Sequence, residues 1–127
     1  MAIERDVAEL EAACAWWQER LRLRDWKVRV RWADLELARK ERSAQVEWQA
    51  KHKEATIDVM VPELYPDDWS EDARDWHTHL AHELLHLHFL AFAADEDTPE
   101  SIAQEQAIEL IAQALARLKR EADGNLR

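Results

Sequence analysis

From residue 3 to about residue 24, apolar side chains return every three or four positions: Ile3, Val7, Leu10, Cys14, Trp17 and Leu21. That spacing predicts a helix with one stripe turned toward a core. At Trp26 the period changes to two. Trp26, Val28, Val30 and Trp32 alternate with Lys27, Arg29 and Arg31, the pattern of a half-buried strand, and the same alternation recurs over 43–50 (Ala44, Val46, Trp48) and 54–61 (Ala55, Ile57, Val59, Val61). Polar turns between these runs suggest a small three-stranded antiparallel sheet with one face covered. Residues 62–69 hold two prolines and read as a connector. Ser70, followed by Glu71 and Asp72, is placed to cap a helix running to about Ala93. The stretch ADEDTPES breaks that helix. Thr98 then caps, and Pro99 opens, a last helix to about Ala122, with Gly124, the only glycine, at its C-terminal end. The order is helix, three strands, helix, helix, which is an α+β fold.

With 127 residues, 47% of them apolar, and seven tryptophans, the chain can close one hydrophobic core, so residues 1–127 read as one domain. No run approaches the roughly 20 apolar residues of a membrane span, and charges interrupt the N-terminus where a signal peptide is apolar. The expectation is a soluble, cytoplasmic protein with no membrane partner. The single Cys14, among alanines and tryptophans, fits a buried thiol in a reducing compartment.

The net charge of −10 is unevenly spread. Residues 1–61 carry 12 basic and 12 acidic side chains, and residues 62–127 carry 5 basic and 15 acidic ones. A field of that sign repels phosphate backbones and speaks against a nucleic-acid partner. The basic strand over 26–32 has an ordinary explanation, because Lys27, Arg29 and Arg31 can pair with Glu47 and Asp58 on neighbouring strands.

The segment HLAHELLHLHFLAF, residues 79–92, carries four of the six histidines in an otherwise apolar helix. At about 100° per residue, His82, His86, His79 and Glu83 share one side, while His77 and His88 point away. Trp76, Leu80, Ala81, Leu84, Leu85, Leu87, Phe89 and Phe92 surround that polar wedge. A helix apolar on nearly all sides is central, and burying imidazoles and a carboxylate there costs several kcal/mol unless something compensates. A divalent cation would compensate. His82, Glu83 and His86 form H-E-x-x-H, in which histidines one turn apart can share one Zn²⁺ and the intervening glutamate can serve as general base toward water. Manganese, cobalt or nickel would suit the same side chains. Candidates for an oxyanion donor are His79, on the same helical side, and Tyr65, the only tyrosine, in the connector.

On this pentapeptide and its setting, the chain resembles the zincin metallopeptidases over roughly residues 26–118. Phe89 and Phe92 stand where metzincins have glycine and a third histidine, and no histidine follows His88, unlike the SprT-like pattern. A gluzincin-like arrangement is closer. It implies that the third ligand is Glu105 on the following helix, with Glu109, one turn later, as hydrogen-bond partner of His82 or His86; Glu109 as the ligand is the alternative. HELLH followed by EQAIELIAQAL is similar to the ImmA/IrrE-type peptidases and small phage-encoded relatives, with Leu85 where their motif has glycine.

The resemblance implies a minimal zincin-like domain with one Zn²⁺ per chain, hydrolysing peptide bonds of a peptide or protein substrate. Two other functions compete with it. One is a non-catalytic binding or assembly module held together by its metal; the other is a nucleic-acid binder using the basic strand.

Overall fold

The computed structural model describes residues 5–34, 42–92 and 95–125. Helix α1, Val7–Arg20, leads into a mixed sheet of β1 (Lys27–Ala33), β2 (Ala44–Gln49) and β3 (Glu54–Met60). Helices α2 (Trp76–His86) and α3 (Pro99–Asn125) follow. The expected α+β order is present. None of these helices is long and apolar enough to cross a membrane.

Helix α1 starts and stops for local reasons. The Asp6 carboxylate accepts the Ala8 N–H at 2.9 Å, and Arg22 takes a left-handed conformation (φ 61°) that returns Leu23 to the core. The helix is therefore shorter than its apolar spacing suggested; Ile3 lies outside the described residues.

The three strands fall where the alternation put them, but the sheet is not all antiparallel. Its order is β1-β3-β2, with β1 parallel and β2 antiparallel to β3. A 3-10 turn at Ala50–His52 and left-handed Lys53 (φ 50°) reverse the chain in four residues, which makes β2 and β3 a hairpin. β1 pairs along the other side of β3, so the strand with the most deeply buried side chains, Ala55, Ile57 and Val59, takes the middle. Alternation reveals which face a side chain occupies and says nothing about which strand is its neighbour.

On the polar face, Arg31 grips Asp58 through two hydrogen bonds of 2.8 and 3.1 Å. Lys27 stands opposite Glu54 and Arg29 opposite Thr56. The other face packs on α1 and α2, with Leu10, Ile57, Val59, Leu80, Leu84 and Ile108 fully buried.

Helix α2 is capped by Asp75, whose side chain accepts the His77 N–H at 3.0 Å, rather than by Ser70. Ser70 instead closes a separate turn by accepting the Ala73 N–H at 3.2 Å. The helix ends at His86, short of Ala93. Leu87, His88 and Phe89 then bond back three residues each, and the His88 ring meets the Leu21 carbonyl beyond α1. Helix α3 begins as expected: Thr98 Oγ1 accepts the Ser101 N–H at 3.2 Å. Gly124 lies inside its last turn without a positive φ, so it does not form a left-handed cap. Arg120 reaches Asp72 and Asp75, both at 2.7 Å, and Arg117 reaches Asp72 at 2.6 Å. These ion pairs tie the far end of α3 to the start of α2, so the helices run antiparallel and the first half of α3 lies beside His82 and His86.

Candidate metal centre

His82 and His86 project from α2 toward α3, which returns Glu105 and Glu109 one turn apart. His82 Nε2 lies 2.6 Å from Glu105 Oε1, and His86 Nε2 lies 3.1 Å from Glu105 Oε2. Potential ligand atoms of His82, His86 and Glu105 all fall within 4.8 Å of one another. Donors of a tetrahedral site with bonds of about 2.0–2.1 Å stand roughly 3.4 Å apart, so this two-nitrogen, one-oxygen set fits a divalent cation with little movement. The three residues could hold a metal ion.

Glu109 occupies a different side of the same imidazole, with Oε2 2.6 Å from His82 Nδ1. An ionised carboxylate only accepts, so Nδ1 donates to Glu109 and the ring is turned with Nε2 toward Glu105 and His86. The electrostatics follow from these contacts. Burial works to lower the His82 pKa, but hydrogen bonds to Glu105 and Glu109 outweigh it and raise it to about 10. Hydrogen bonds from His82 and His86 hold Glu105 well below the usual carboxylate range, and the hydrogen bond from His82 also lowers the pKa of Glu109.

Glu83 is the most enclosed acid of the group, 9% exposed, and burial pushes its pKa up against the opposing pull of His82 and His86. Among the described residues no hydrogen bond reaches its carboxyl group. It opens onto a cleft of about 570 Å³ lined on one side by His79, His82, Glu83, His86, Glu105 and Glu109, and on the other by residues 42–46 and Trp48 of the β2 segment. A buried carboxyl without a partner, facing a polar cleft, is where a water or a substrate group can enter.

Of the two candidate donors, His79 lines the cleft and Tyr65 does not. His79 Nε2 is 2.7 Å from the Ala73 carbonyl, which can only accept, and Nδ1 is 3.0 Å from Ser43 Oγ. Burial lowers the His79 pKa, so the neutral ring spends its one N–H on Ala73 and its free nitrogen accepts from Ser43. Tyr65 packs edge-on to the His79 ring, stacks on Trp69, and keeps a buried hydroxyl with no hydrogen-bond partner among the described residues.

Sequence reasoning missed Arg42, Ser43, Glu96 and Trp48, all of which line the cleft. Arg42 brings the only guanidinium among the described lining residues, and its charge opposes the upward shift of Glu83. No motif marks these residues: Arg42, Ser43 and Trp48 reach the cleft through the placement of β2 at a sheet edge, and Glu96 through the turn before α3. Outside the cleft, His77 accepts the Trp17 indole N–H at Nδ1 (2.9 Å), which anchors the opposite face of α2 to α1.

Comparison with protein-family models, with curated proteins and with solved structures finds no match to this chain.

Proposed function

We propose that the chain is a zinc-dependent peptidase of zincin type, with His82, His86 and Glu105 as metal ligands and Glu83 as general base. The observation that carries the reading is the meeting of three ligand atoms from two helices with a buried, unpartnered glutamate in one cleft. Zinc is the preferred ion because the donor set mixes imidazole nitrogen with carboxylate oxygen in a three-ligand arrangement that leaves a position free. Bound there, the ion supplies Lewis acidity toward a peptide carbonyl and toward water.

The chain's own residues perform the rest. Glu109 holds the His82 ring in register through Nδ1. Glu83, raised in pKa by burial, takes a proton from water at a carboxylate oxygen and passes it to the departing amide nitrogen. Among the described residues strand β2 pairs with β3 alone, and its other edge suits an extended peptide, a mode in which main-chain hydrogen bonds supply affinity. Arg42 is the cationic side chain of the cleft available to face a carbonyl oxygen as it gains negative charge.

The test is metal analysis of the purified chain together with cleavage of a quenched fluorescent peptide library. Stoichiometric zinc, cleavage by the wild type, and zinc retained without cleavage by Glu83→Gln are the expected results. Equal cleavage by zinc-loaded Glu83→Gln would overturn the role of Glu83. A second reading, a non-catalytic module, draws on the carboxylate–imidazole contacts that already join α2 to α3. It is favoured if the chain holds zinc, unfolds on chelation and cleaves nothing.

A further inference from the structure

Six of the seven tryptophans are buried or half-buried, and Trp48 alone is exposed, at 45%. It lies on the inward face of β2, two residues beyond half-buried Val46, and lines the same cleft as Glu83. A large aromatic ring left open on the otherwise packed side of a sheet is an apolar surface waiting for a partner.

The ladder shows what kind of partner can reach it. Met60 N donates to Ser43 O at 2.8 Å, so these two residues form a hydrogen-bonded pair of the antiparallel ladder. Such pairs alternate, so Gln45/Asp58, Glu47/Thr56 and Gln49/Glu54 are also hydrogen-bonded pairs, and Ala44, Val46 and Trp48 turn their N–H and C=O groups to the edge away from β3, which no described strand covers. A chain added at that edge pairs with these three residues, and its side chain opposite Trp48 falls on the same face as the indole. The cleft is also acidic. Among the described residues, Glu83, Glu96, Glu105 and Glu109 line it against Arg42, which leaves it net negative even with a dication bound while Glu83 is ionised.

We infer that Trp48 is the specificity determinant of the cleft, receiving an apolar, preferably aromatic, side chain from an extended, lysine- or arginine-bearing peptide paired to the free edge of β2. The inference rests on the peptide-substrate reading above and names the class of substrate. It separates the two levels of β2: the backbone of Ala44, Val46 and Trp48 holds any extended chain, and the indole selects among chains.

The test measures binding, so it does not depend on turnover. The full chain carrying Glu83→Gln, in zinc, is titrated into fluorescein-labelled octapeptides of serine, threonine and two lysines. A single phenylalanine is placed at each position in turn, and the parent without phenylalanine and a glutamate-for-lysine version are included. At least one phenylalanine peptide is expected to bind about tenfold or more tightly than the parent, the scale of discrimination an apolar contact provides. In the metal-free wild-type chain, where all four lining carboxylates remain, glutamate for lysine is expected to weaken binding. Trp48→Ala is expected to bring the phenylalanine peptide down to the parent's affinity, and Trp48→Phe to keep most of the preference. In the same protein with Trp48 intact, amide exchange at Val46 and Trp48 is expected to slow when peptide is bound. Peptides that bind without a phenylalanine preference, or a preference that survives in Trp48→Ala, overturn the inference and leave the peptide-substrate reading standing. No binding by any peptide to the folded, zinc-loaded chain overturns both.

Discussion

Acid should loosen the anchor that holds the far face of α2 to α1. His77 sits on the far side of α2 from His82, stacked on Trp76 at 4.0 Å between ring centroids, with Nδ1 accepting the Trp17 indole N–H. That bond requires an unprotonated Nδ1. Burial lowers the His77 pKa from 6.5 to about 4. The unfolded chain therefore binds a proton that the folded chain refuses, between about pH 6.5 and pH 4. Stability is complete above the upper value, falls as pH drops through the window, and levels off below it. The difference corresponds to roughly 3 kcal/mol at most, and to about 2 kcal/mol once the partial exposure of the ring is allowed for. For a chain of 127 residues that is a fall in Tm of about 8 °C.

Because other groups titrate in the same window, the measurement is a comparison. His77→Asn keeps an acceptor for the indole near the position of Nδ1 and cannot take a proton. Thermal unfolding of metal-free wild type and His77→Asn from pH 7.5 to pH 3.5 should show the wild type losing about 2 kcal/mol relative to the variant, with most of the loss between pH 6.5 and 4. Parallel curves would refute the reasoning, because they would mean that the imidazole takes its proton in the fold as readily as outside it.

Three further outcomes follow from the site. Glu109→Gln should weaken zinc binding about 10- to 100-fold in a chelator competition, by loosening the His82 ring, whereas His82→Ala and Glu105→Ala should abolish stoichiometric binding. Free zinc at about 100 times its Kd should stabilise the wild type by roughly 2.7 kcal/mol, near 10 °C in Tm, and the increment should vanish in Glu105→Ala; an equal shift in both would place the ion elsewhere. Glu83→Gln should retain zinc and lower kcat by about 10²- to 10⁴-fold, and a smaller loss would remove Glu83 from the proton-transfer role.

Much of this protein was legible along the chain because the relevant physics is local. Period-two alternation marked β1, β2 and β3 since side chains on a pleated strand point to alternate faces. The i, i+4 spacing put His82 and His86 on one side of a helix since 3.6 residues make a turn. Thr98 announced its helix because its hydroxyl bonds to an amide three residues on. Even the pairing of Glu105 with the histidines could be anticipated, through resemblance to a known plan.

What the sequence left open depended on neighbours distant in the chain. It did not show that β3 would take the centre of the sheet, or that β2 would be an edge strand of the described sheet beside the cleft, because alternation is the same for an edge strand and a central one. It gave α2 too great a length, since the contact between the His88 ring and the Leu21 carbonyl belongs to packing across 67 positions. It offered His79 and Tyr65 as donors without showing that Ala73 and Ser43 occupy one and that the other lies behind the cleft wall. It gave Arg42, Ser43 and Trp48 no distinction at all. Local stereochemistry decides which face a residue occupies. The chain's return through space decides what that face meets, and in this protein the candidate ligands needed mostly the first while the surroundings of the cleft needed the second.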